Sequence, residues 1–128
     1  MGWFGFGAMD GDDAMDLQDL VFGILNVAYD NNGNTIQSVN EIKNLLETQQ
    51  DLIYDTLKDY DFNKHFNPGF IQRVYIQALA HIMCDYDAKI NTRGKDTFIK
   101  FIDDDTWSLE NEERKQEMIA LKNRVLEN

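Results

Sequence analysis

Apolar residues recur every three or four positions along much of the chain, which is the spacing of an amphipathic helix with one buried face. The first such stretch follows residue 13, after a cap at Asp10, Asp12 or Asp13. The second covers about residues 39–60 and begins at Ser38, which forms a capping-box pattern with Glu41. The predicted buried faces of these two helices are Ala14, Leu17, Val21, Ile24 and Ala28, and then Val39, Ile42, Leu46, Ile53, Leu57 and Tyr60.

Two further helices follow in the second half of the chain. The third begins at Asn67-Pro68, because Asn is a good cap and Pro fits the first helical position. It is the most apolar stretch, so it is predicted to be the central helix. Between a turn at residues 87–94 and the last helix, residues 97–102 are predicted to form a short helix, and their β-branched and aromatic side chains also allow a strand. The last helix is predicted to begin after a cap at Thr106 or Ser108 and to end near Glu127.

These elements predict a compact all-α bundle of four or five helices, forming one domain over residues 1–128. Hydrophobic residues make up 43% of the chain, which is enough for a core and argues against disorder. Trp3, Phe4 and Phe6 bury large apolar areas when they pack. The segment 1–12 is therefore predicted to be ordered and to pack on the bundle, with its glycines supplying tight turns.

The net charge of the chain indicates which kinds of partner it could bind. The net charge is −11, and residues 1–42 hold seven carboxylates and no Lys or Arg. Such a chain is not expected to bind nucleic acid or an anionic membrane, and it favours a basic protein partner. A single cysteine, Cys84, and the lack of a signal-peptide pattern or a long apolar run predict a cytoplasmic protein.

The opening sixteen residues, MGWFGFGAMDGDDAMD, carry a motif of glycines, aromatics and aspartates. The motif resembles the N-terminal signature MGxWGxGxFxNDDAxD of a family of small bacterial and phage-borne proteins of unknown function. Met9 and Gly11 depart from that signature, and the resemblance covers about one eighth of the chain. The family's members are similar in size and acidity to immunity proteins, so the resemblance implies a protein that neutralises another protein. The matching positions are Gly2, Phe4, Gly5, Gly7, Asp10, Asp12, Asp13, Ala14 and Asp16.

Two acidic clusters are the candidate partner-binding surfaces, since clustered carboxylates attract basic proteins and raise association rates. The aromatic residues of the first segment serve as core pins or as anchors in the interface. Inhibition of a basic effector and mimicry of DNA are both possible mechanisms. The twelve Lys and Arg residues, all after residue 42, interrupt the even array that mimicry needs, and the carboxylates could also be only a solvated face. The candidate residues are Trp3, Phe4, Phe6, Asp10, Asp12, Asp13, Asp16 and Asp19, and then Asp103, Asp104 and Asp105.

A calcium loop is the alternative from another functional class. Asp30, Asn32, Asn34 and Glu41 fall at positions 1, 3, 5 and 12 of an EF-hand-like loop. The glycine that belongs at position 6 is missing, because Gly33 stands at position 4. An Asn-rich turn followed by a helix cap explains the same residues.

Catalysis is not expected, and neither is a cofactor. His65 and His81 lack the spacing of zinc ligands, and the chain has no Gly-rich phosphate loop and no nucleophile elbow. The sequence thus predicts a non-enzymatic binding protein, for which a homo-oligomer is also possible.

Overall fold

A computed structural model describes residues 12–65 and 67–128, except for the side chains of Asp12 and Trp107. Within these residues the chain forms five α-helices and two short 3-10 turns, with no strand beyond an isolated bridge between Tyr29 and Thr35. The all-α prediction is confirmed. The predicted packing of the first segment concerns residues that lie outside the described part of the chain. The helices are α1 (Asp12–Ile24), α2 (Val39–Asp59), α3 (Pro68–Asp85), α4 (Thr92–Asp103) and α5 (Glu112–Glu127), and the 3-10 turns are Phe62–Lys64 and Trp107–Leu109.

The central helix of the bundle is α3, as its composition predicts. Every side chain from Val74 to Ala80 is buried, which is more than one face of a helix and requires neighbours on several sides. Those neighbours are α1, α4 and α5. The helix begins as predicted, with the Asn67 side chain accepting a hydrogen bond from Phe70 N and with Pro68 at the first position.

The second helix, α2, joins the bundle differently, because its backbone stays further from the other helices than α1 does from α3. Its buried side chains Ile42, Leu46, Ile53 and Leu57 fill the space between. Long polar side chains complete the attachment. Gln50 Nε2 donates to Lys89 O at 3.0 Å, Gln50 Oε1 accepts from Asn91 N at 2.9 Å, and Glu47 Oε2 accepts from Lys89 N at 2.7 Å.

The helices α1 and α3 end in the same way, with one residue in the left-handed region. These residues are Asn26, with φ of 57°, and Asp87, with φ of 56°. After α1, Val27 N donates to Phe22 O at 2.9 Å and Asn26 N donates to Gly23 O at 3.2 Å. The equivalent pair after α3 runs from Ala88 N to Met83 O and from Asp87 N to Cys84 O. Both ends are Schellman motifs, in which glycine is the usual left-handed residue. Because α1 ends here, the predicted buried face is one residue too long, and Ala28 is exposed.

The predicted turn at residues 87–94 is too long, and the strand alternative for residues 97–102 is wrong. A helix begins at Thr92, since the Asn91 side chain accepts a hydrogen bond from Gly94 N at 2.8 Å and caps it. Gly94 lies inside this helix at a point where neighbouring side chains leave no room for a β-carbon. A β-carbon at this position would lie 2.6 Å from Ile90 Cγ2 and would overlap the Tyr54 hydroxyl, so glycine leaves the space on α4 that the Tyr54 side chain occupies.

The predicted cap of the last helix is also wrong. Residues 107–109 form a 3-10 turn, and the cap of α5 is Asn111, whose side chain accepts from Arg114 N at 2.9 Å. Ser108 instead donates to Asp105, from its backbone N at 2.8 Å and from its hydroxyl at 2.7 Å. These local bonds hold Ser108 in the turn. None of the described helices has both the length and the apolar character that crossing a membrane requires.

Candidate functional site

The outward face of α1 carries the part of the first acidic cluster that the structure describes. Residues 15, 16 and 19 share one side of a helix by spacing. Asp16 and Asp19 are exposed, and Met15 beside them is 49% exposed although its side chain is apolar. The opposite face, with Ala14, Leu17 and Val21, is fully buried. We call Met15, Asp16 and Asp19 the α1 face.

The carboxylates of the α1 face, those of Asp16 and Asp19, pair with no cation in the part of the chain that the structure describes. Their field acts on neighbouring phenols. Burial raises the pKa of Tyr75, and its neighbour Tyr60 and the charges of Asp16 and Asp13 raise it further. Asp13 is partly buried, so it contributes less to the outward surface than Asp16 does. Trp3, Phe4, Phe6 and Asp10 lie outside the described residues.

The second predicted acidic cluster is not one surface, and this prediction is corrected. Asp103 forms an ion pair with Lys122, with Oδ1 2.8 Å from Nζ. Asp104 is exposed at the end of α4, whereas Asp105 points inward and is only 3% exposed. Asp105 cannot contact a partner from that position. Three consecutive aspartates point in different directions because the chain leaves α4 there and turns toward α5.

Asp105 belongs instead to a polar network in the core. Its Oδ2 accepts from Arg114 Nη2 at 2.9 Å and from Gln77 Nε2 at 2.9 Å, and Gln77 Oε1 accepts in turn from Arg114 Nη2. The three side chains are 3% exposed or less. Gln77 also donates to Phe101 O at 3.1 Å, so the network connects α3, the end of α4 and α5.

The network keeps the buried carboxyl ionised. Burial by itself would raise the pKa of Asp105, but hydrogen bonds from Arg114 and Gln77, the Arg114 charge and the Ser108 N–H outweigh it and lower the pKa. A carboxylate with its acceptor sites filled in this way is a structural element. It has no exposed edge through which it could bind a ligand.

The candidate calcium ligands serve two separate local structures. Asp30 Oδ1 accepts from Asn32 N at 2.8 Å and from Asn34 N at 3.0 Å, which makes the tight turn around Gly33 at φ of 81°. Glu41 and Ser38 form the predicted capping box at the start of α2. Within residues 12–65 and 67–128, no three Asp, Glu, His or Cys side chains come together in a geometry that suits a metal ion.

The two histidines lie apart and have different partners. His65 Nε2 lies 3.0 Å from the Tyr60 hydroxyl, and the two rings are stacked. His81 Nδ1 lies 2.9 Å from Asp85 Oδ2, and Asp85 Oδ1 also accepts from Arg124 Nη2 at 2.8 Å. Each histidine is thus in contact with a residue four or five positions away in the sequence.

A cavity that the sequence did not predict lies between α2, α3 and α4. It has a volume of about 360 Å³. Six of its nine lining residues are apolar or uncharged, and the other three are cationic. The cationic residues are Lys58, Arg93 and Lys100, and the others are Tyr54, Leu57, Gln72, Ile76, Thr97 and Phe101. We call this the cationic cavity.

One signal in the sequence could have revealed half of this cavity. Arg93, Thr97 and Lys100 fall at helical spacing, so they share one face of α4. This spacing places the three residues on one face only if the helix begins at Thr92 and so includes Arg93. The sequence prediction began the element at Thr97 and left Arg93 in a turn. The contribution of α2 and α3 depends on tertiary packing and has no local signal.

No family model, curated protein or solved structure matches this chain. The resemblance of the first sixteen residues to a family signature therefore stays a prediction.

Proposed function

We propose that this protein is a small acidic binding module that engages a basic protein through the α1 face. One observation carries the proposal: Met15 and two carboxylates, which form no ion pair within residues 12–65 and 67–128, stand exposed on one side of a helix whose other side is buried. The predicted residues Trp3, Phe4, Phe6, Asp10, Asp12 and Asp13 precede this face directly and extend it in the proposal.

The arrangement suits a protein interface for two physical reasons. A methionine side chain is flexible and polarisable, and methionine is enriched at interfaces. Carboxylates around such an anchor steer a basic partner and set its orientation. The buried face of α1 holds the helix against α3, so these groups are presented on a rigid support.

Inhibition or immunity is the role that this surface supports better than mimicry of DNA. Mimicry requires an extended array of carboxylates that imitates the phosphates of a duplex. The ion pair of Asp103 and the burial of Asp105 remove two members of such an array. We therefore propose a non-enzymatic inhibitor of a basic effector in the bacterial cytoplasm, which binds neither nucleic acid nor membrane and needs no cofactor.

The experiment compares three proteins with a native N-terminus and a tag joined by a flexible linker after Asn128. They are the wild type, Asp16→Asn/Asp19→Asn, and Glu110→Gln/Glu117→Gln. The control pair is exposed, lies outside α1 and changes the net charge equally. Each protein is used to capture partners from lysate of the source bacterium. The captured protein is then purified, and its Kd is measured by calorimetry at several salt concentrations.

We expect one basic protein, bound at a fixed ratio, whose affinity falls as salt rises. The α1 variant should bind about tenfold or more weakly, because buried charge-assisted contacts contribute about 1.5–3 kcal/mol each. The control variant should bind as the wild type does. Equal weakening of both variants would show only a general charge effect, and would refute the α1 face as the binding site.

A further inference from the structure

We propose that the cationic cavity binds a small organic carboxylate with an apolar body. The cavity lies between α2, α3 and α4, and none of its lining residues belongs to the α1 face. The proposal is therefore independent of the proposed protein partner, and either can fail without the other.

The volume of the cavity suits a small molecule. At about 360 Å³ it falls within the range of roughly 300–1,000 Å³ that small-molecule pockets occupy, near the lower end. Such a space holds one aromatic or short aliphatic ligand. It is too small for a whole helix or strand of a partner protein.

The lining has the two parts that this ligand class requires. Leu57, Ile76 and Phe101 offer apolar contact from three different helices. Lys58, Arg93 and Lys100 provide positive charge, and no Asp or Glu is among the lining residues. Three other grooves on the described surface each contain at least one carboxylate. Positive charge is thus concentrated here in a chain of net charge −11.

The three cations differ in how firmly they are held. Arg93 is fixed, because its Nη2 lies 2.7 Å from Asp55 Oδ1 and its guanidinium lies 5.5 Å from the centre of the Tyr54 ring. Two carboxylates, Asp55 and Asp51, partly neutralise it. Lys58 and Lys100 have no ion pair among the described residues. In the proposal these two lysines bind the carboxylate of the ligand, Lys100 from a position 5.6 Å from the centre of the Phe101 ring, and Arg93 shapes the wall.

The packing of α4 on α2 keeps the cavity in place. Gly94 permits the close approach to Tyr54, and the Tyr54 and Phe98 rings meet edge to face at 5.8 Å. The Tyr54 hydroxyl donates to Gln50 Oε1 at 3.0 Å. The wall is therefore built from groups with fixed partners, which lowers the ordering cost of binding.

The test is a titration of the full chain, followed by ¹H–¹⁵N spectra and calorimetry, with three probes. 2-Naphthoate carries both a carboxylate and an aromatic body, 2-naphthalenemethanol carries only the body, and inorganic phosphate carries only negative charge. We expect 2-naphthoate to bind with a Kd of roughly 0.1–1 mM and to shift amides of residues 54–58, 72–76 and 93–101. The two other probes should bind at least about tenfold more weakly.

Two charge-matched variants locate the site. Lys58→Gln/Lys100→Gln should weaken 2-naphthoate about tenfold, and Lys89→Gln/Lys115→Gln should leave it unchanged. All four lysines are exposed, so both variants should keep the wild-type Tm. Binding of the alcohol or of phosphate as tight as that of 2-naphthoate would overturn the proposal, as would equal weakening by the two variants or no binding at all.

Discussion

At the scale of single residues, the most consequential group is the carboxylate of Asp105. Its side chain is buried in the core beside Arg114 and Gln77, and less than one tenth of its surface is exposed to solvent. An ion pair in this position adds little net stability compared with apolar residues of the same shape, but either charge alone is costly because it remains buried. Arg73 Nε lies 3.9 Å from Asp105 Oδ2, further than Arg114 Nη2 at 2.9 Å, so folding depends chiefly on Asp105 and Arg114 being present together.

Replacing one partner should be severe. We expect Asp105→Asn or Arg114→Met to lower the free energy of unfolding by about 3–5 kcal/mol, as measured by urea denaturation. The exposed pair of Asp103 and Lys122 provides the matched control, and Asp103→Asn should cost about 1 kcal/mol or less. A small loss for Asp105→Asn would mean that the neutral amide is accommodated and that the charge is not needed.

The same carboxylate gives a pH dependence with a definite sign. Its pKa is lowered in the folded chain, so the unfolded chain takes up the proton first as the pH falls. The stability from Asp105 is complete above its ordinary pKa of about 3.9 and is lost as the pH falls from there through the folded value. Asp105→Asn should therefore show a weaker decrease of stability over this acidic range than the wild type.

Only one of the two charged members of this network could be predicted from the sequence to be buried. Arg114 falls in register with Met118, Leu121 and Val125, so helical spacing places it on the buried face of α5. Asp105 gives no such signal, since it follows two exposed aspartates in a turn. Burial there is decided by the path of the chain from α4 to α5, which periodicity cannot predict.

At the scale of the helices, two starts and most ends were predicted, whereas the starts of α4 and α5 and the end of α1 were misplaced. The caps Ser38 and Asn67 were predicted because a cap acts on neighbours within three residues. The left-handed residues Asn26 and Asp87 were not, because the usual signal for such an end is glycine. The start of α4 was misplaced because Gly94 looks like a turn residue until its contact with Tyr54 is known.

Position 87 should prefer glycine, whereas position 23 should prefer alanine. Asp87 has a left-handed backbone conformation and lies at the negative end of α3. Asp87→Gly should therefore raise the free energy of unfolding by about 0.5–1 kcal/mol, and the glycine variant should be about 1 kcal/mol more stable than Asp87→Ala.

Gly23 lies inside α1, and a β-carbon there meets nothing within 4 Å. Gly23→Ala should therefore stabilise by up to about 1 kcal/mol. Thermal unfolding of the three variants checks the signs, and an advantage of alanine over glycine at position 87 would contradict the strained helix end.

At the scale of the whole molecule, charge is divided between two surfaces. The α1 face lies in a segment without cations, whereas Lys58, Arg93 and Lys100 surround one cavity. Sequence alone predicted the acidic helix because its residues are neighbours along the chain. It missed the cavity because three helices contribute to it, and such a site exists only after they pack. The net charge of −11 thus conceals a site of opposite character.

The side-chain attachment of α2 has a consequence for how the native protein opens. Segments with fewer close backbone contacts separate from the rest at a lower free energy than the central elements do. Native-state hydrogen exchange should therefore show amides of residues 46–57 exchanging through a partial opening, and amides of residues 74–83 exchanging only when the whole chain unfolds. Equal exchange free energies for both segments would mean that the bundle opens as one unit. If α2 separates first, the groups exposed earliest include Leu57 and Ile76, part of the apolar lining of the cationic cavity, so the cavity is lost before the rest of the bundle unfolds.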